Sequence, residues 1–212
     1  MNIYLPMKND LLDKGEGTIW TGGGWKKPEL TNLEGVRCAK FEGQARLRLQ
    51  DTTLIKPLKV WTIQLWWYCT KLTRNSTIAL SNQLPGKVGQ SDYFQLSISQ
   101  SAVSCGDYTY SVGVVIVGDG WHHIKVTSDG QKMYVYFDGR ALDGASASLQ
   151  RFNTDGFTIG DDNGDGNNKI NFQGYMTQFK LSDVYNDEDL LLEDEESKFI
   201  YINQNNEVWG MA

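Results

Sequence analysis

An all-β chain folded as two antiparallel sheets is the fold class this sequence predicts, and three observations predict it. Apolar and polar residues alternate with a period of two through most of the apolar stretches. Pairs containing Gly, Asn and Asp separate those stretches at hairpin spacing. At 212 residues, with no linker rich in Pro or Ser and no repeat of fixed period, the chain fits one sandwich with a substantial core.

Taken in order, Ile3-Tyr-Leu-Pro-Met reads as a short first strand, and residues 8–16 as a polar loop with room for a turn of helix. Trp20 and Trp25 then flank three glycines. No Gly-Lys-Ser/Thr follows and no parallel strand and helix frame them, which excludes a phosphate loop. Two readings stay open: a surface turn whose indoles pack back on the sandwich, or an aromatic loop in which Trp20 and Trp25 meet a ligand. Residues 41–49 alternate as one strand, with Ala45, Leu47 and Leu49 opposed by Arg46 and Arg48.

The strongest single strand is Trp61-Thr-Ile-Gln-Leu-Trp-Trp-Tyr-Cys. Trp61, Ile63, Leu65, Trp67 and Cys69 share the face predicted to be core, which leaves Thr62, Gln64, Trp66 and Tyr68 on the other. That second set mixes amide and aromatic groups as a carbohydrate-facing surface does, so Gln64, Trp66 and Tyr68 are candidate ligand-binding residues. The alternative is that a loop covers Trp66. Residues 92–99 and 108–117 read as two further strands.

The clearest hairpin runs from Gly120 to Gly144. His122, Ile124 and Val126 alternate with His123, Lys125 and Thr127; Ser128-Asp-Gly-Gln supplies a turn; Met133, Val135 and Phe137 alternate with Tyr134 and Tyr136; Asp138-Gly139 turns again. Two further strands, around Phe157-Thr-Ile-Gly and Gly174-Tyr-Met-Thr-Gln-Phe-Lys-Leu, put Phe179 and Leu181 in the expected core with Trp61, Ile63, Leu65, Ile124, Val126, Val135 and Phe137.

Beyond Tyr185 the pattern changes. Asn186 is an N-cap candidate followed by acids in a first turn, which predicts one short C-terminal helix. The tail carries Phe199, Ile200, Tyr201, Ile202, Val208 and Trp209 and reads as an extra hairpin turning at Asn205-Asn206. The organisation expected is therefore a sandwich over residues 1–190 and an acidic segment with a hairpin tail over 191–212. A strand pair beyond a complete sandwich either seals a sheet edge or docks, through the stretch from Phe199 to Trp209, on another copy or a particle partner.

Net charge is −6 and Lys and Arg are scattered, so the sequence offers no footprint for nucleic acid. No stretch approaches membrane-spanning length, and membrane insertion is not expected. The N-terminus lacks a basic region followed by an apolar run, which reads as a chain made and folded in a cytoplasm. Cys38, Cys69 and Cys105 are odd in number and widely spaced, as small buried hydrophobes are rather than a disulfide framework or a zinc site. Seven Trp and ten Tyr are more than a sandwich core hides, and aromatic rings on faces or loops commonly bind ligands.

Asp161-Asp-Asn-Gly-Asp-Gly-Asn is the candidate metal loop. Asp161, Asn163 and Asp165 stand at positions one, three and five of an oxygen-ligand calcium loop, Gly166 falls at the sharp turn, and Asn167 offers its carbonyl. Phe172 occupies the place of the closing Glu, and a plain hairpin loop uses the same residue types. Nucleophilic chemistry has no Gly-x-Ser-x-Gly, and His122 and His123 point to opposite faces of one strand. The sequence thus predicts a protein that is not an enzyme.

The order Trp121-His-His, apolar strand, Asp-Gly turn and Tyr-x-Phe-Asp-Gly resembles the laminin-G-like branch of the concanavalin A-like lectin and glucanase jelly rolls. Ala39-Lys-Phe-Glu-Gly-Gln-Ala-Arg-Leu, Trp61-Thr-Ile-Gln-Leu-Trp and the two strands after Phe157 agree with it, so the likeness covers most of the chain from Ile3 to about Leu190. The resemblance implies a jelly-roll sandwich, calcium at a rim loop, and a glycan or cell-surface polysaccharide as partner. Glucanases of this superfamily carry Glu-x-Asp-x-x-Glu on one strand, with the retaining pair about 5–5.5 Å apart. No such strand exists here, and Thr177-Gln178 stands where relatives often have Asp-Glu. The expectation is a non-catalytic carbohydrate-recognition module, of the kind found as decoration, fibre or tail adhesins on a bacteriophage virion surface. A structural protein docking through its tail is the alternative, and an inactive or divergent glycan-processing enzyme comes third.

Overall fold

The computed structural model describes residues 1–22, 26–42, 45–50, 58–69, 77–81, 94–98, 102–106, 111–113, 120–142, 157–161, 172–193, 200–202 and 208–210. The strands in chain order are β1 (Asn2–Leu5), β2 (Trp20–Thr21), β3 (Glu29–Leu33), β4 (Val36–Phe41), β5 (Leu47–Leu49), β6 (Val60–Cys69), β7 (Thr77–Ser81), β8 (Gln95–Ile98), β9 (Ala102–Gly106), β10 (Ser111–Gly113), β11 (Gly120–Asp129), β12 (Met133–Phe137), β13 (Arg140–Ala141), β14 (Thr158–Ile159), β15 (Gly174–Ser182), β16 (Ile200–Ile202) and β17 (Val208–Gly210). They form an eight-stranded sheet in the order β13-β12-β11-β6-β15-β4-β3, with β1 also on β15, and a seven-stranded sheet in the order β10-β9-β8-β7-β14-β5-β2. All pairings given for both sheets are antiparallel.

Alternation explains why these segments pair as they do. Trp61, Ile63, Leu65 and Trp67 of β6 are at most 1% exposed and meet Leu47, Leu80, Leu96 and Ile159 of the opposite sheet. Ile124, Val126, Val135, Phe179 and Leu181 complete the same core, as the pattern predicted. Phe137 is only half-buried, because it sits at the rim with its ring stacked on His122 at 5.1 Å.

The turns follow their chemistry. Phe137 pairs with Arg140 across Asp138 and Gly139, both at positive φ, which is the twist-matched two-residue hairpin loop. Gly160 has a different reason for being glycine. At φ 88 an added Cβ would fall 2.6 Å from the Phe41 ring, so only a bare Cα lets the end of β14 close on the core.

Three sequence expectations are corrected here. Residues 41–49 are not one strand: β4 ends at Phe41 in the eight-stranded sheet and β5 begins at Leu47 in the seven-stranded one. The alternation survives the crossing because Phe41, Leu47 and Leu49 face one core from opposite sides. The C-terminal helix is also absent among the described residues, as is the turn of helix in residues 8–16. The latter loop is tied instead by buried Asp13, whose carboxylate accepts from the N–H groups of Tyr4, Gly15 and Thr18 and from the Thr18 hydroxyl.

β15 has one irregularity that matters for the site. Its register against β6 slips between Thr177 and Lys180, and Gln178 sits at φ 54 with its N–H donating to the Pro6 carbonyl at 3.1 Å. This bulge marks where the neighbour of β15 changes from β4 to β1. The tail forms the expected hairpin: β16 pairs with β17 in the register Tyr201 with Trp209, and among the described residues it joins neither large sheet.

Candidate functional site

The outward face of β6 was the leading candidate, and the structure closes it. Gln64, Trp66 and Tyr68 are 0%, 4% and 9% exposed. Residues 183–193 run across them as a strap that turns at 185–186 and contains no helix. The Gln64 amide clamps that strap, its Nε2–H donating to the Glu188 carbonyl at 2.8 Å and its Oε1 accepting from the Leu190 N–H at 3.1 Å. Trp66 Nε1–H donates to the Leu190 carbonyl at 3.0 Å and Gln178 Nε2–H to the Leu191 carbonyl at 2.8 Å. At the near end, Thr62 Oγ1–H donates to the Val184 carbonyl at 2.6 Å and the Asn186 N–H donates to Thr127 Oγ1 at 2.8 Å.

Charge and apolar contact finish the cover. Lys180 Nζ lies 2.7 Å from Asp187, and Lys125 pairs with Asp189. Leu192 is buried with Val36, Cys38, Trp66, Tyr68 and Trp121 in a second apolar cluster outside the main core. Tyr68 Oη–H donates to Glu34 at 2.6 Å. Burial also pushes the Cys38 thiol up to about 12, so it is an inert packing group. The binding-face expectation for Gln64, Trp66 and Tyr68 is therefore corrected: their polar atoms are consumed by the chain itself.

Trp20 is likewise a core residue, 4% exposed, edge-on to Phe157 and Phe179 at 5.7 and 6.2 Å, with its Nε1–H donating to Thr18. It packs back on the sandwich rather than meeting a ligand. Trp25 lies outside the described residues.

His123 lies beneath the strap, 5.0 Å from the Trp66 ring and 4% exposed. Desolvation pulls its pKa down to about 4, against the raising effect of Asp189 and together with the lowering effect of Lys125. The unfolded chain binds a proton near the ordinary histidine value while the folded one does not, so stability falls as pH drops from about 6.5 towards 4. Replacing His123 with Gln is expected to remove on the order of 3 kcal/mol of that pH-dependent loss. Urea titrations of both proteins at pH 7 and pH 4.5 check this, since identical pH slopes contradict it.

The outer face of the seven-stranded sheet has another character. Thr21, Arg48, Thr158, Ser81 and Gln95 are cross-strand partners in one continuous row over β2, β5, β14, β7 and β8. Their partners one position along, Leu47, Ile159, Leu80 and Leu96, face the core. Ser97 follows Gln95 on the same face and accepts from its amide at 2.7 Å. Thr158, Ser81, Gln95 and Ser97 are buried, whereas Thr21 and Arg48 are half-buried. The sequence alternation had put Arg46 and Arg48 together on one face without marking either as a site residue.

Arg46 is committed nearby. Its Nη1–H donates to Asp161 Oδ2 at 2.5 Å and its Nε–H to the Gly22 carbonyl at 3.3 Å, all in buried surroundings. Asp161 was the first residue of the expected calcium loop, yet a cation at that carboxylate would face a guanidinium, so Asp161 does not fit a calcium ligand. Asn163, Asp165 and Asn167 lie outside the described residues. Asp161→Ala leaves Arg46 buried without this partner and is expected to cost about 3–5 kcal/mol, equally in calcium and in chelator. Thermal unfolding in both buffers measures it; a loss confined to the calcium buffer would restore Asp161 as a ligand.

Residues 41–189 match the family model described as the concanavalin A-like lectin/glucanases superfamily. Among solved structures, domain 4 of AbnA, a GH43 extracellular arabinanase from Geobacillus stearothermophilus, in complex with arabinotriose, is similar at 17% identity and TM-score 0.60, covering 84% of this chain and 90% of that one. The CBM40 of the Ruminococcus gnavus IT-sialidase bound to α2,3-sialyllactose is similar at 16% identity and TM-score 0.52, with 74% and 90% covered. Trypanosoma rangeli sialidase is similar at 13% identity and TM-score 0.60, where the match spans 86% of this chain but 30% of the sialidase. No curated protein matches the chain.

Proposed function

The chain belongs to the concanavalin A-like lectin/glucanases superfamily, and from that premise we propose that it is a non-catalytic glycan-recognition module whose ligand face is the outer side of the seven-stranded sheet. The observation that carries this is the asymmetry of the two outer faces. One is sealed by the strap through side-chain bonds to its backbone, while on the other the row runs from buried Gln95, Ser81 and Thr158 to half-buried Arg48 and Thr21, and that end keeps part of its surface open. The Arg48 guanidinium at that end, held on a rigid sheet, is a donor of the kind that glycan oxygens pair with. The arabinanase domain and the CBM40, whose solved structures contain arabinotriose and sialyllactose, lend the reading support.

Asp13, Asp161 and Asp138 are engaged by Thr18, Arg46 and His122, which supports recognition rather than hydrolysis. A glycan array that includes arabinotriose and sialyllactose tests both halves. Retention of at least one glycan, with a dissociation constant on the order of micromolar to millimolar and no new reducing ends, is expected. Absence of binding at millimolar glycan overturns recognition, and release of reducing ends makes the protein an enzyme.

One observation favours a second reading, in which the sandwich is a building block of a larger assembly such as a virion surface. The β16–β17 hairpin pairs with neither sheet among the described residues, as a docking element would. Removing residues 199–212 should then leave melting temperature unchanged while lowering the assembly state in light scattering. Unchanged assembly with a large loss of melting temperature would return the tail to the domain's own sheet.

A further inference from the structure

Arg48 stands apart from the other sheltered cations of this protein. Among the described residues, every other lysine or arginine that is buried or half-buried has a carboxylate beside it: Lys8 has Glu193, Lys40 has Glu42, Arg46 has Asp161, Lys125 has Asp189 and Lys180 has Asp187. Half-buried Arg48 has none, and its cross-strand neighbours are Thr21 on β2 and Thr158 on β14, hydroxyl groups that cannot neutralise it. Two residues along the same face, Arg46 already engages Asp161 Oδ2. A guanidinium partly removed from water without a counter-charge is unfavourable, and an anion supplied by a ligand would relieve it.

From this, and resting on the glycan reading above, we infer that the ligand is an acidic glycan whose carboxylate or sulfate group is bound by Arg48. The planar fork of five N–H donors matches either oxyanion in a bidentate pair, which a single ammonium does not. Thr21 and Thr158 flank the position as its cross-strand neighbours, and fully buried Thr158 makes a floor beside the guanidinium and not a ligand contact. Net charge of −6 means that the protein does not attract anions in general, so selection for an acidic sugar has to come from this local pair.

The test is titration of the full chain with matched pairs: trigalacturonate against its methyl ester, 3′-sialyllactose against lactose, and a heparin tetrasaccharide against its desulfated form. Tighter binding of at least one acidic member, by about tenfold or more, is expected, and the responding pair tells carboxylate from sulfate. Arg48→Gln should abolish that preference without lowering melting temperature, since among the described residues the side chain gives up no ion pair, and Arg48→Lys should restore only part of it. Raising salt should shrink the preference. Binding of neutral members alone, or a preference that survives Arg48→Gln, overturns the inference and leaves glycan recognition standing. Binding of none overturns both.

Discussion

The structure depends on strand β6 being buried on both of its faces. Ten residues long and flanked by β11 and β15, it is the centre of the eight-stranded sheet, and its inner side holds two tryptophans of the core. Its outer side carries Thr62, Gln64 and Trp66, polar groups that cannot be covered by an apolar layer without stranding their donors and acceptors. A helix would cover them badly, because its backbone N–H and C=O groups are spent on one another. A strap without helix arrives with those groups free. Gln64, Trp66, Gln178 and Thr62 each take one or two of them, and the acidic residues meant by their sequence for a helix N-terminus instead reach Lys180 and Lys125.

The same requirement explains the bulge in β15. In a regular strand Gln178, between Thr177 and Phe179, would point into the core. The extra residue lets Thr177 and Gln178 both face outward while Phe179 and Leu181 stay inside, and Gln178 becomes part of the clamp on the strap. Burial of Leu192 in the outer cluster shows that residues 183–193 pack on the sandwich. With one outer face occupied in this way, the proposal places the ligand at the half-buried Thr21 and Arg48 end of the opposite sheet.

How far the sequence revealed this differs by element. The hairpin of β11 and β12, the two faces of β6 and all of the expected core but Phe137 were legible, because period-two alternation and Asp-Gly turns are local signals. The division of residues 41–49 between sheets was not, since inward-facing residues of two opposed sheets keep one phase. The helix expected from Asn186 onward failed for a tertiary reason: the side chains that recruit the strap's backbone lie more than a hundred residues earlier, at Thr62, Gln64 and Trp66. Arg48 was visible as one of two arginines on a strand face, but only the positions of Asp161 and Arg46 reveal that, among the described residues, one of the two has a carboxylate partner and the other has none.

A two-dimensional NMR titration of the labelled protein with a bound glycan asks most directly which face is used. Shifts at the backbone amides of Thr21, Arg48, Thr158 and Ser81, with the Trp66 indole N–H and the amides of Asn186 and Leu190 unmoved, are the expected result. Shifts centred on Trp66 and the strap, with the seven-stranded sheet silent, would contradict it and place the ligand on the face that the chain itself covers.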